Sequence, residues 1–288
     1  MNGTEYTRQR QPEIIPPGQE IPVQPAPPAR PRFPITTGLV AVNIAVFLVM
    51  VFTGVSVADP TPRDIVRWGA NYAPFTLGGQ SWRLITAVFL HIGIIHILAN
   101  MWALWNLGAL AEMIFGRKFY LPVYLLAGIA GNIASLAIHH NSPGAGASGA
   151  IFGIAGAMIS VLKFAHLPAP RNAMRGTLRS LLWFAVFNLL FGQAVPGIDN
   201  AAHLGGFICG LVLGALLSWA RYVGEGSRPL VRWASIALVA LLLFAGFVSL
   251  KRAYRGPVSS FVLLISIARS LVAGHWSLAQ VFDQAKSQ

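Results

Sequence analysis

Charge is scarce in this sequence. Only 10% of its 288 residues are Asp, Glu, Lys or Arg, against about 25% in an ordinary soluble domain, which excludes a conventional water-soluble globular fold. Acidic residues are the scarcer half: nine Asp and Glu stand against 21 Lys and Arg, a net charge of +12. In a soluble chain that excess would suggest nucleic-acid binding. Here the basic residues fall between apolar runs, where membrane proteins carry their loop charge, so no nucleic-acid partner is expected. Cysteine is nearly absent as well. Cys209 has no second cysteine to pair with, which excludes an intramolecular disulfide, and its place inside an apolar run reads as small buried packing. Neither a fixed-period repeat nor a pair of inverted halves is apparent, and charge within the runs is rare, which argues against a transporter. Residues 1–34 hold nine of the 19 prolines but no apolar run long enough for a signal peptide, so a disordered Pro-rich cytoplasmic tail is expected. The tail is not an Arg- and Ser-rich, acid-poor transit peptide either, which points to a bacterial inner (plasma) membrane.

What the chain does have is apolar length. Hydrophobic residues make up 55% of it, and a membrane span needs about 20 of them in a row. Seven runs qualify as spans or near-spans: 38–54, 93–111, 119–138, 148–162, 178–195, 201–219 and 232–250. The reading is therefore an all-α, polytopic membrane protein. Between the first two runs, residues 55–92 form a long connection with Pro60, Pro62, Trp68, Tyr72, Trp82 and Arg83, whose aromatics suit the membrane interface. With the tail inside, 13 Lys and Arg lie on the inner side and eight on the outer, so the N-terminus is expected in the cytoplasm. Lys251, Arg252 and Arg255 are discordant with this assignment. The apolar but interrupted stretch 258–273 reads as an interfacial amphipathic helix.

Polar side chains inside spans are costly, so each is a functional candidate. The fourth run is short: Ser148 to Leu162 gives about 22 Å of helix against about 30 Å of hydrocarbon. A helix-breaking segment, 141–146 (Asn-Ser-Pro-Gly-Ala-Gly), precedes it. Ser148 thus sits at a sunken helix start, where irregular backbone requires a protein or water-filled surround. A bland role as a helix N-cap competes with a role as nucleophile. The surrounding Gly146-Ala-Ser148-Gly149-Ala150 is not a hydrolase nucleophile elbow. In the sixth run His203 leads a stripe of glycines at 206, 210 and 214, which permits close helix approach. If that stripe packs on the small residues Ala155 and Gly156 of the fourth run, His203 comes beside Ser148 as a general base. The competing role for His203 is a hydrogen-bonded interhelical histidine. Asp199, four residues earlier, reads with Asn200 as a helix cap rather than a triad acid, leaving a Ser-His dyad. In the second run His96 and Asn100 share a helix face and, with the Ser148 backbone N–H, are placed to stabilise an oxyanion. A metal site at His91 and His96 is disfavoured by the spacing and the lack of a carboxylate; no metal and no cofactor are expected.

Taken together, Trp82-Arg83, His91-x4-His96-x3-Asn100, Gly146-Ala-Ser148-Gly149 and Ala202-His203-x2-Gly206, in this order, resemble the rhomboid family of intramembrane serine proteases. The resemblance covers about 37–220. It implies a six-helix core with Ser148 as nucleophile, His203 as base, and His96 and Asn100 as oxyanion donors. Gly146, Gly149, Gly206 and His91 are expected to support the site. Phe152 stands where the family usually has an aromatic residue stacked on the base, and Glu112 matches a structural carboxylate, with a solvated loop charge as the competing reading. The implied organisation is a tail at 1–34, a protease core at 35–220, and a seventh transmembrane helix with an amphipathic tail at 221–288. The implied partners are single-span or multi-span membrane-protein substrates and the lipid bilayer. The alternative is a non-catalytic rhomboid-like protein that binds or escorts transmembrane helices.

Overall fold

A computed structural model describes residues 32–165, 170–195 and 197–254. Seven long helices carry the fold: α1 (Pro34–Phe52), α5 (Ile94–Phe115), α6 (Arg117–Ile138), α7 (Ser148–Phe164), α8 (Arg171–Ala194), α9 (Asn200–Trp219) and α10 (Arg228–Ala253). Three short ones, α2 (Pro62–Trp68), α3 (Ala73–Thr76) and α4 (Arg83–Thr86), fold the connection between α1 and α5. No strand forms among the described residues, which contain one isolated antiparallel bridge, Asn71 to Gly144. The expected amphipathic helix at 258–273, and residues 1–31 of the expected tail, lie outside the described residues.

Among the described residues, five helical stretches are long and apolar enough to cross a membrane: Pro34–Phe52, Ile94–Phe115, Arg117–Ile138, Asn200–Tyr222 and Glu225–Ala253. The α7 helix is apolar but has only 17 residues, in keeping with its sunken start. The α8 helix departs most from the sequence expectation. It begins at Arg171, not near 178, because two polar turns with Arg171 and Arg175 continue the helix below the apolar part.

Long-range polar contacts tie this framework together. Gly116, at φ +73°, is the single residue joining α5 to α6, a backbone state that suits glycine. One turn before it, Glu112 is 4% exposed and accepts hydrogen bonds from the Ile35 and Thr36 backbone N–H groups and the Thr36 hydroxyl, at 3.2, 2.9 and 2.9 Å. A carboxylate there satisfies the open N–H groups at the start of α1 and complements its dipole. Glu112 is thus a buried clasp and not a solvated loop charge.

The 55–92 connection is organised the same way. Thr61 and Asp64 cap α2 reciprocally. Arg83 is 5% exposed and donates from Nη1 to the Val66 and Ala70 carbonyls and from Nε to Gln80 Oε1. Burial lowers the pKa of its guanidinium from the ordinary value, and these acceptors repay part of that desolvation. Asn71 donates to the Asn132 carbonyl at 2.8 Å, and Asn132 donates to the Leu84 carbonyl at 2.8 Å, so the connection is laced to α6. At the same end, Phe247 and Leu250 of α10 and Tyr254 just after it join a cluster with Ala73, Leu77, Leu84 and Leu136. The Tyr254 ring also stacks on His140 at 5.9 Å.

Candidate functional site

Among the described residues the α7 and α9 helices make the most extensive interhelical contact, and glycine is the reason. A methyl group on Gly206 would collide with the Gly149 carbonyl, one on Gly210 with Gly153, and one on Gly214 with Ala157. The stripe predicted on α9 therefore packs on α7, but against Gly149, Gly153 and Ala157 rather than Ala155 and Gly156. Gly156 also faces α9, at Phe207 and Leu211. At the start of both helices, Gly149 abuts the Ala202 carbonyl. The neighbour of Ser148 thus touches the neighbour of His203.

Ser148 is the first residue of α7, after the N-cap residue Ala147, and no side-chain cap bond forms there. Its hydroxyl has no structural hydrogen bond among the described residues, and the capping role considered above is not seen. His203 is 7% exposed. Its ring stacks on Phe152 with centroids 4.3 Å apart and planes 9° apart, and Phe184 of α8 makes a tilted contact with Phe152 at 5.3 Å. His203 Nδ1 is sealed from solvent and unpartnered among the described residues, so the histidine is no interhelical hydrogen-bond bridge. Ser148 and His203 are not hydrogen-bonded to each other here; in an unliganded site such contacts are often long.

Asp199 caps α9, accepting from the Ala202 N–H at 3.0 Å, and pairs with His139 at 3.2 Å. Both bonds use Oδ1, and no hydrogen bond joins Asp199 to His203 among the described residues. Asn200 does not share that capping; it donates to the Leu189 carbonyl and ties α9 to α8.

His96 closes the opposite wall. The Ile92 N–H donates to His96 Nδ1 at 3.3 Å, so in the neutral ring the proton belongs on Nε2. That nitrogen lies 2.9 Å, and Ser148 Oγ 3.7 Å, from the point a Gly146 side chain would occupy. Gly146 adopts φ +141°; any side chain there would be strained and would fill the space between Ser148 and His96. Asn100 is buried and donates one amide hydrogen to the His96 carbonyl at 2.9 Å, leaving its second N–H uncommitted. His91 is fully buried against His96, ring centroids 5.2 Å apart. The described residues hold no group of three or more His, Cys, Asp or Glu able to bind a metal.

Two features of this site were not legible from motif spacing. One is the main-chain bridge between Asn71 and Gly144, at 2.9 and 2.8 Å, which anchors the segment leading to Ser148. The other is the bond from the Gly146 N–H to the Ala87 carbonyl, 2.9 Å, which fixes that segment against the end of the 55–92 connection.

Comparison with known proteins places this arrangement. A family model described as Rhomboid domain matches residues 78–220. The chain is 37% identical over 207 residues to Rhomboid protease GluP of Bacillus subtilis (strain 168), covering 72% of this chain and 39% of that protein. It is 33% identical over 182 residues to Rhomboid-like protease 2 of Toxoplasma gondii, covering 62% and 63%. To Rhomboid-like protease 1 of Toxoplasma gondii it is 31% identical over 221 residues, covering 74% and 73%. The chain belongs to the rhomboid family. It is an integral, multi-pass membrane protein of that all-α fold. The rhomboid domain match spans α4 through α9 and their connections, so α1 and α10 lie outside it, and the chain aligns with less than two thirds of the first two relatives.

Proposed function

We propose that this rhomboid is an intramembrane serine endopeptidase that hydrolyses peptide bonds in or near transmembrane helices of membrane-protein substrates. The observation that carries the reading is that Ser148 and His203, brought to adjoining helix ends by the glycine stripe, spend no side-chain hydrogen bond on the fold. Natural proteins rarely leave buried polar groups idle without a use for them. Ser148 Oγ attacks the scissile carbonyl and His203 accepts its proton at Nε2, the ring nitrogen that is not sealed in. No carboxylate is hydrogen-bonded to His203 to orient the resulting imidazolium; the stacked face of Phe152 supplies a cation–π stabilisation. The oxyanion is held by His96 Nε2–H, whose tautomer the Ile92 N–H selects, by the free N–H of Asn100 and by the Ser148 backbone N–H. His203 returns the proton to the leaving amine, and water then hydrolyses the acyl-enzyme by the same steps reversed. A substrate helix must unwind to expose its backbone, so small or helix-breaking residues near the cut favour cleavage. The excess of Lys and Arg on the tail side supports a cytoplasmic N-terminus. The test is cleavage of a labelled single-span substrate by the purified protein. Wild type cuts; Ser148→Ala does not; Asn100→Ala cuts about 10- to 100-fold more slowly. Cleavage surviving Ser148→Ala contradicts the mechanism, and an inert wild type leaves helix binding as the better account.

A further inference from the structure

A second concentration of uncommitted polar groups lies at the opposite end of the helices from Ser148. Arg221, in the 3-10 turn Ala220–Tyr222 after α9, and Arg232, in the second turn of α10, line one cleft together with Phe115, Phe119 and Leu217. Both arginines are half-buried. The Arg232 guanidinium lies over the Phe119 ring, 5.1 Å from its centroid. Among the described residues neither has a carboxylate partner. Glu112 is committed to the start of α1, and Glu225 pairs with Arg228 at 3.0 Å. Arg228 brings no relief, because Arg221 and Arg228 both act on Arg232 as like charges.

Half-buried like charges without a counter-ion are unfavourable, and the arrangement persists at least cost where an anion occupies the cleft. The surroundings indicate which anion. Trp219, Tyr222 and Trp233 flank the two arginines in the chain and are exposed, and tryptophan and tyrosine concentrate at the depth of lipid headgroups. The cleft is shallow and its rim is otherwise apolar, so an anion lies across its mouth, beside surface that suits the glycerol and first acyl carbons of a lipid and not a freely hydrated ion. Guanidinium donors match phosphate oxygens in geometry as well as charge. We propose that the Arg221–Arg232 cleft binds the phosphate of an anionic phospholipid headgroup in the leaflet opposite the Ser148 end.

The test needs no protease activity. The full chain is purified in neutral detergent, titrated with phosphatidylglycerol or phosphatidylcholine, and retained lipid is counted by native mass spectrometry. Wild type retains phosphatidylglycerol in preference to phosphatidylcholine. Replacing both arginines (Arg221→Gln with Arg232→Gln) weakens that retention about thirtyfold, and Arg221→Gln alone about fivefold, the single variant serving should the double one fail to fold. Arg179→Gln, an exposed arginine on α8 outside the cleft, leaves retention unchanged. Equal retention by wild type and the Gln variants, an equal loss in Arg179→Gln, or displacement of the lipid by equimolar inorganic phosphate would each overturn the proposal.

Discussion

The polar groups that hold the 55–92 connection and α1 differ from those at the paired ends of α7 and α9. In the first region four buried polar side chains are bonded to distant backbone: Glu112 to the start of α1, Arg83 to Val66 and Ala70, Asn71 to Asn132, and Asn132 to Leu84. In the second, Ser148 caps nothing and His203 Nδ1 is unpartnered among the described residues. Both regions carry polar side chains into apolar surroundings, but only one spends them on the fold. The difference separates architecture from chemistry: groups whose bonds are all made cannot respond to a substrate, while groups left open at a structural cost can.

Substitutions in the two regions should therefore behave oppositely. The largest effect belongs to Ser148→Ala, which is expected to lower cleavage by about 10⁴-fold or more while thermal unfolding shifts by less than about 0.5 kcal/mol. A large loss of stability would show that the hydroxyl was structural after all. Gly210→Ala tests the scaffold that joins the two helices. Its new methyl meets the Gly153 backbone, and the helices must separate at a cost of about 3 kcal/mol, with cleavage lost along with the fold; denaturation followed by circular dichroism measures it. Glu112→Gln keeps the shape but removes the charge at the start of α1, for a loss of about 2 kcal/mol in stability. Cleavage per folded molecule is unchanged. Phe152→Leu retains packing volume and removes the aromatic face on His203, lowering kcat about fivefold with KM unaltered.

Much of this layout was legible in the sequence, and the exceptions have physical causes. The apolar runs located all seven long helices because lipid demands continuous hydrophobicity. The start of α7 was placed at Ser148 because the Pro and Gly of 141–146 end any helix before it. Boundaries failed where polar turns extend a helix past its apolar part, as at Arg171 in α8 and Arg228 in α10. The glycine stripe on α9 was visible from its spacing, but its partner positions on α7 follow from the geometry of helix crossing, which one sequence does not encode locally. The fold of the 55–92 connection was illegible for a related reason. It is held by side chains such as Arg83 and Asn71 reaching backbone up to 61 residues away, and local propensity carries no trace of such bonds. The tautomer of His96 depends on an N–H four residues upstream, a contact that exists only once the chain leaves the helix at Gly93.

The central claim is that Ser148 and His203 are left open by the fold because they act together. Active-site labelling in native membranes with a fluorophosphonate probe, followed by peptide mapping, tests it most directly, since the probe reacts only with an activated serine. The account predicts a single labelled residue, Ser148, with labelling abolished in Ser148→Ala and nearly so in His203→Ala. A folded wild type that takes no label, or labelling undiminished by His203→Ala, would contradict it.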